Sequence, residues 1–165
     1  MHEESAVALD PSTLSDEQAQ RVLVELFELL PGTGKPGYDE MASMLDDIRD
    51  GAPSDVARPL DHLDDSAALR GEMARQALVQ LAAQPALEPL VAQALERAGR
   101  PHMLALPELM AGVIVVLALI PSHVGKDAKG GFTIQWNQLQ NLAMLLKPVG
   151  DIVKALPKSL LAKLG

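Results

Sequence analysis

No cysteine occurs anywhere in the 165 residues. Disulfides, thiolate metal sites and cysteine nucleophiles are therefore excluded, and the absence fits a reducing compartment. Aromatic residues are nearly missing too: Phe27, Tyr38, Phe132 and Trp136 are the four in the chain. A core must then be built from Leu, Val, Ala, Ile and Met, a set rich in strong helix formers. Stacking platforms for nucleic-acid bases, which need rings, have little material here. Positive charge is also scarce. The formal net charge is −8, which repels phosphate backbones and argues against a nucleic-acid partner.

The charge is unevenly spread. Residues 1–100 carry 19 acidic against 8 basic side chains, and residues 101–165 carry 3 against 6. All seven arginines lie in the first part, and every base in the second is lysine. Such asymmetry marks two differently solvated surfaces. The first thirty residues are acidic and then amphipathic. They lack the basic region and apolar stretch of a secretory signal, so the expected location is cytoplasmic. High Ala, Leu and Arg with few aromatics point to a GC-rich bacterial source.

Residues 1–13 read as a flexible leader. Ser15 and Gln18 then have the spacing of a capping box, with Asp16 and Glu17 in the first turn, where acids suit the helix dipole. Val22, Leu23, Leu26, Phe27 and Leu30 recur at helical spacing until Pro31 and Gly32 stop the pattern. A second helix is expected over 38–50, with Tyr38, Met41, Met44, Leu45 and Ile48 as its stripe and Gly51 as its C-terminal cap. The polar stretch from Ala52 to Asp65 holds two prolines and a short helical piece. A third long helix is expected over 66–84 (Leu69, Met73, Ala77, Leu78, Leu81). Another carries Leu87, Leu90, Val91, Ala94, Leu95 and Ala98 up to Gly99. Residues 14–100 thus read as an acidic helical bundle.

The last third differs. Leu109 to Ile120 is an unbroken run of twelve apolar residues. Three readings compete for it: a buried helix opened by Pro107 and Glu108, a buried strand favoured by its β-branched cluster, and a membrane span, for which about twenty apolar residues are needed. FTIQW, residues 132–136, is the strand candidate. Its partner would be 113–120 or the loop around Val124. A helix is expected from Asn137 to Leu146, and Pro148 reads as the start of a further segment broken at Pro157. There Val149, Ile152, Val153, Leu156, Leu160, Leu161 and Leu164 keep helical spacing, with Lys147, Lys154, Lys158 and Lys163 between them. A basic amphipathic helix can lie on an anionic membrane or fill a partner's groove. The favoured reading is that it covers its own core. Residues 101–165 are expected to pack on the bundle as one domain, with Gly99 to Pro101 as the boundary.

No chemistry-bearing motif survives inspection. PGTGKPG, residues 31–37, lacks the first glycine and the final hydroxyl of a phosphate-binding loop and comes after a helix rather than a strand. Asp61, His62, Asp64 and Asp65 could meet a divalent cation, but helical neighbours diverge by about 100°, and Asp64 or Asp65 capping the next helix explains them as well. His102 and His123 would lie about 30 Å apart if the run between them is helical. His2 stands in the leader. Neither a two-histidine metal helix nor a serine elbow is present. No catalytic, cofactor or metal residue is assigned.

The fold class expected is mainly α: an acidic multi-helix bundle with a small β element near 132–136 and C-terminal amphipathic helices. The function expected is a non-enzymatic protein-interaction module, such as an adaptor, a regulator or an immunity-type partner, with a protein partner or self-association. Its candidate interaction surface is Lys147, Lys154, Lys158, Lys163 and Trp136. Two alternatives stand beside it. One is a membrane-active protein using 109–120 and the lysine-rich end. The other is an enzyme whose site is assembled only by folding.

Overall fold

A computed structural model describes residues 10–30, 37–63, 65–97, 124–126, 132–134 and 142–163. These residues are mainly helical, in the manner of a bundle. Asp10 accepts a hydrogen bond from the Ser12 amide at 3.0 Å and opens a single 3-10 turn, Pro11–Thr13. Then come α1 (Asp16–Leu29), α2 (Tyr38–Gly51), α3 (Ser54–Asp61), α4 (Ala67–Ala82) and α5 (Glu88–Arg97). The C-terminal part supplies α6 (Leu142–Lys154) and α7 (Lys158–Lys163).

Local signals account for much of this. The Ser15 hydroxyl accepts from the Gln18 backbone amide at 3.1 Å, and the Gln18 side-chain Oε1 accepts from the Ser15 backbone amide at 3.0 Å. Two orphan donors of α1 are thereby satisfied. At α2 only half of that arrangement exists, because Gly37 has no side chain; Glu40 Oε1 accepts from its amide at 2.9 Å. The expected Gly51 cap is corrected: the helix runs through Gly51 and ends on Ala52 in extended backbone, φ −81° and ψ 151°, so no left-handed residue is used. The start of α4 is corrected too. Ser66, not Asp64 or Asp65, is its cap, accepting from the Leu69 amide at 3.1 Å.

Tertiary contacts sort the helices into two groups. The helix α1 lies along α4 and α5, while α2 lies on α3. The helix α6 packs against α2, α3 and α4, and so touches both groups. The core holds the expected stripes: Val22, Leu23, Leu26, Phe27 and Leu30; Met41, Leu45 and Ile48; Leu69, Met73, Ala77, Leu78 and Leu81; Leu87, Val91 and Ala94. Val149, Ile152, Val153 and Leu156 join it from the C-terminal segment. Pro148 does not begin that segment. It lies inside α6, which is continuous from Leu142 to Lys154, and the expected helix end at Leu146 is corrected accordingly. Burial of the residues after Pro148 compensates for the backbone hydrogen bond that a proline cannot donate.

Val124–Lys126 (β1) pairs antiparallel with Phe132–Ile134 (β2), Gly125 opposite Thr133. A ladder of three residues is marginal by itself. Among the described residues this two-stranded ladder is the whole of the sheet structure and the architecture is helical; residues 135 and 136 of the element expected at 132–136 lie outside the described residues. The run Leu109 to Ile120, the boundary Gly99 to Pro101, the loop residues 31–36 and residues 1–9 lie outside the described residues.

Candidate functional site

Three arginines of the bundle turn inward and bind backbone. Arg49 of α2 donates from Nε and Nη2 to the Leu60 carbonyl at 3.0 and 2.7 Å, tying α2 to the end of α3. Arg70 of α4 donates to the Leu63 carbonyl at 2.8 Å and to Gln20 Oε1 at 3.1 Å. Gln20 is the one buried polar side chain among the described residues. Its amide nitrogen in turn donates to the Asp16 carbonyl at 3.0 Å. Arg75 donates to the Leu14 carbonyl at 2.9 Å and pairs with Asp16 at 2.8 Å and Glu72 at 2.7 Å. A buried carbonyl needs a donor, and these guanidinium groups supply it where the chain leaves a helix.

The Asp16, Glu72 and Arg75 group is the densest charged cluster in the described residues, and its electrostatics are those of an ion-pair lock. Burial pushes the Glu72 carboxyl up. Hydrogen bonds from Arg75 and Gln76, with the Arg75 charge, outweigh that and hold it below its ordinary value. Burial pushes Arg75 down, but its bonds to Glu72 and Asp16 and their charges leave it raised. Glu72 and Arg75 are thus both held toward their charged forms, as in a structural ion pair. Asp10 is lowered by its hydrogen bonds from Ser12, at a fully exposed site.

The one arginine of α2 bonds the Leu60 carbonyl and pairs with Asp46 at 3.4 Å, and the helix otherwise presents acids outward. Asp39, Glu40, Asp46, Asp47 and Asp50 are all exposed. At 100° per residue they share one side of the helix, opposite buried Met41, Leu45 and Ile48. Asp39, Asp47 and Asp50 have no ion-pair partner among the described residues. Sequence reasoning registered the overall acidity but missed this face. The signal was available as acids at positions 39, 46 and 50, whose spacings of seven and four superpose on a helix.

The expected lysine surface is placed as follows. Lys147, Lys154, Lys158 and Lys163 are exposed. Lys147 reaches Asp151 of its own helix at 3.1 Å. Lys147, Asp151 and Lys154 lie on the side of α6 opposite Val149, Ile152 and Val153, which are buried against the bundle. Trp136 and Leu164 lie outside the described residues. The apolar stripe of this segment is thus occupied by its own core, and the lysines are what it shows to solvent. Val79 is the one large exposed hydrophobic residue among the described residues.

Of the acidic cluster before α4, Asp61 and Asp65 are exposed and His62 is half-buried, while Asp64, His2, His102 and His123 lie outside the described residues. Asp61 stands 3.9 Å from Arg49 Nε. Among the described residues no group of three or more metal-ligating side chains converges. Nor is any described helix long and apolar enough to cross a membrane. Comparison with known families, curated proteins and solved structures gives no match to this chain.

Proposed function

We propose that this protein is a non-enzymatic interaction module, of the adaptor, regulator or immunity type, that meets a basic protein partner through the outer face of α2. One observation carries the reading: five exposed carboxylates share one side of a single helix, and its one arginine, which bonds the Leu60 carbonyl and pairs with Asp46, leaves Asp39, Asp47 and Asp50 without an ion-pair partner among the described residues. Unneutralised charge of one sign on a rigid element raises the encounter rate with an opposite surface and disfavours wrong partners. Arg49 fixes α2 on the end of α3, so the backbone that carries the face is pre-organised.

The test is affinity capture from the native host with wild-type bait and with an Asp39→Asn, Asp47→Asn, Asp50→Asn variant. All three side chains are exposed and unpaired among the described residues, so circular dichroism of the variant should match wild type. Basic proteins retained by wild type at low salt and lost by the variant are the expected result. An unchanged retained set would remove α2 from the interaction.

A further inference from the structure

We propose that α6 is a releasable strap: it docks across α2, α3 and α4, lets go without unfolding α1, α4 and α5, and when released is captured by an anionic lipid surface. The proposal is independent of the acidic face of α2.

The first support is the kind of contact that holds α6. Side-chain hydrogen bonds and ion pairs tie α1 to α4, through Gln20, Asp16, Arg70 and Arg75, and α2 to α3, through Arg49. Among the described residues none joins 149–163 to those helices, and the ion pair Lys147–Asp151 is internal to α6. Among the described side chains, docking therefore rests on Val149, Ile152, Val153 and Leu156, with Leu146 partly buried beside them. Apolar contact is non-directional. It can be broken and remade as a unit, without leaving a buried polar group unpaired.

The second support is that α6 is a poor helix by itself. Pro148 withholds one backbone donor from its interior and Gly150 is among the weakest helix formers. Its helical state is therefore coupled to burial against a partner surface. Once off the bundle, the same residues form a stripe of four aliphatic side chains flanked by Lys147, Lys154, Lys158 and Lys163, all of which already face solvent. Lys154, Lys158 and Lys163 have no ion pair among the described residues. An anionic bilayer meets both needs together, with headgroup charge for the lysines and the acyl boundary for the stripe.

Two substitutions shift docking in opposite directions. A Cβ added at Gly150 would meet Val56 Cγ2 at 3.7 Å, an ordinary contact. Gly150→Ala therefore stabilises docked α6 through helix propensity, by about fourfold in the opening equilibrium. Val56→Ala on α3 removes part of the surface on which α6 sits and leaves α6 itself unchanged. The experiment is amide hydrogen exchange on the full chain, paired with flotation on phosphatidylserine–phosphatidylcholine vesicles at low salt. Amides of 149–156 should exchange in a separate, faster step than those of 22–27 and 73–81. Gly150→Ala should slow that step about fourfold. Val56→Ala should quicken it and raise the vesicle-bound fraction. A Lys154→Glu, Lys158→Glu, Lys163→Glu variant should lose vesicle binding with its exchange unchanged. Exchange of 149–156 in one step with α1 and α4 would overturn the strap. Absence of wild-type vesicle binding, or binding that Val56→Ala leaves unchanged, would overturn the lipid surface as its occupant.

Discussion

Gly71 sits where α4 meets the first turn of α1, and the two backbones are so close that a Cβ built on it would lie 2.5 Å from the Asp16 Cα. The obstacle is main chain, so relief requires α1 to move as a body. Replacing Gly by Ala in a helix interior gains roughly 1 kcal/mol of propensity, whereas overpacking costs about 1–3 kcal/mol. The overlap wins at this separation. Gly71→Ala is expected to lower stability by on the order of 1–2 kcal/mol, read as the urea midpoint by circular dichroism. A midpoint at or above wild type would mean that α4 and α1 have room to part at this point without loss. The same contact brings Asp16 to Arg75 and so to Glu72. Glu72 is held below its ordinary 4.5 in the folded protein. A lowered folded value means that its contribution is fully present above 4.5 and is lost as pH falls through the folded value. Urea midpoints on either side of pH 4.5 should therefore drop less on acidification in Glu72→Gln than in wild type. Equal slopes would show that the carboxyl does not couple to folding.

Among the elements, α4 offers a clean choice between neighbouring residues. Asp64, Asp65 and Ser66 all have the chemistry of an N-cap, and the sequence reading offered Asp64 or Asp65 for that role. The structure gives the role to Ser66, whose backbone is extended at φ −112° and ψ 105° and whose hydroxyl meets the Leu69 amide. Ser66→Ala should then cost about 1 kcal/mol, while Asp65→Ala should be close to neutral. The reverse order in chemical denaturation would return the cap to the acid. This near miss shows the limit of local signals. The start of α1 was readable because Ser15, Gln18 and the stripe after them all point the same way within a few residues. The stripes of α2, α4 and α5 were readable for the same reason. The passage of α6 through Pro148 was not, because the local stop signal of proline is overridden by burial of Val149, Ile152 and Val153 on distant helices. The close approach at Gly71 was invisible as well, since nothing in a helical pattern says which neighbour arrives. On the candidate surface, the exposed lysines were legible from periodicity. The acidic face of α2 was legible in the spacing of residues 39, 46 and 50, whereas the bond of Arg49 to the Leu60 carbonyl was not.

At the scale of the molecule, the question is how far α1 to α5 depend on residues 101–165. Of the 26 buried hydrophobic residues among those described, 22 lie between Leu14 and Ala94, and α6 with the turn after it supplies the remaining Val149, Ile152, Val153 and Leu156. Full burial of one such side chain contributes about 1.5–3 kcal/mol, an upper estimate because the unfolded chain already hides part of that surface. Losing four is a substantial share of a typical domain stability of about 5–15 kcal/mol. The bundle need not collapse, because the loss is unevenly distributed. The elements α1, α4 and α5 pack on one another, and Arg75 and Arg70 tie α4 to the entry and first turns of α1 without help from α6. The pair α2 and α3 is held together by Arg49, but part of the surface it packs against belongs to α6. A fragment of residues 1–100 is therefore expected to stay helical and soluble, with a lower urea midpoint than the full chain and stronger binding of a hydrophobic dye where α6 was seated. Hydrogen exchange should find the new weakness in α2 and α3, with α1 and α4 still protected. A fragment of residues 101–165 is expected to self-associate, because its four core side chains lose their covering surface and its sequence carries an apolar run of twelve residues. The measurements are circular dichroism, size-exclusion chromatography and exchange on both fragments. If residues 1–100 are unfolded, α6 is no strap but a keystone, and the two helix groups are one cooperative unit. If residues 101–165 are monomeric and folded, the C-terminal part has a core of its own and its contact with the bundle is an interface between domains.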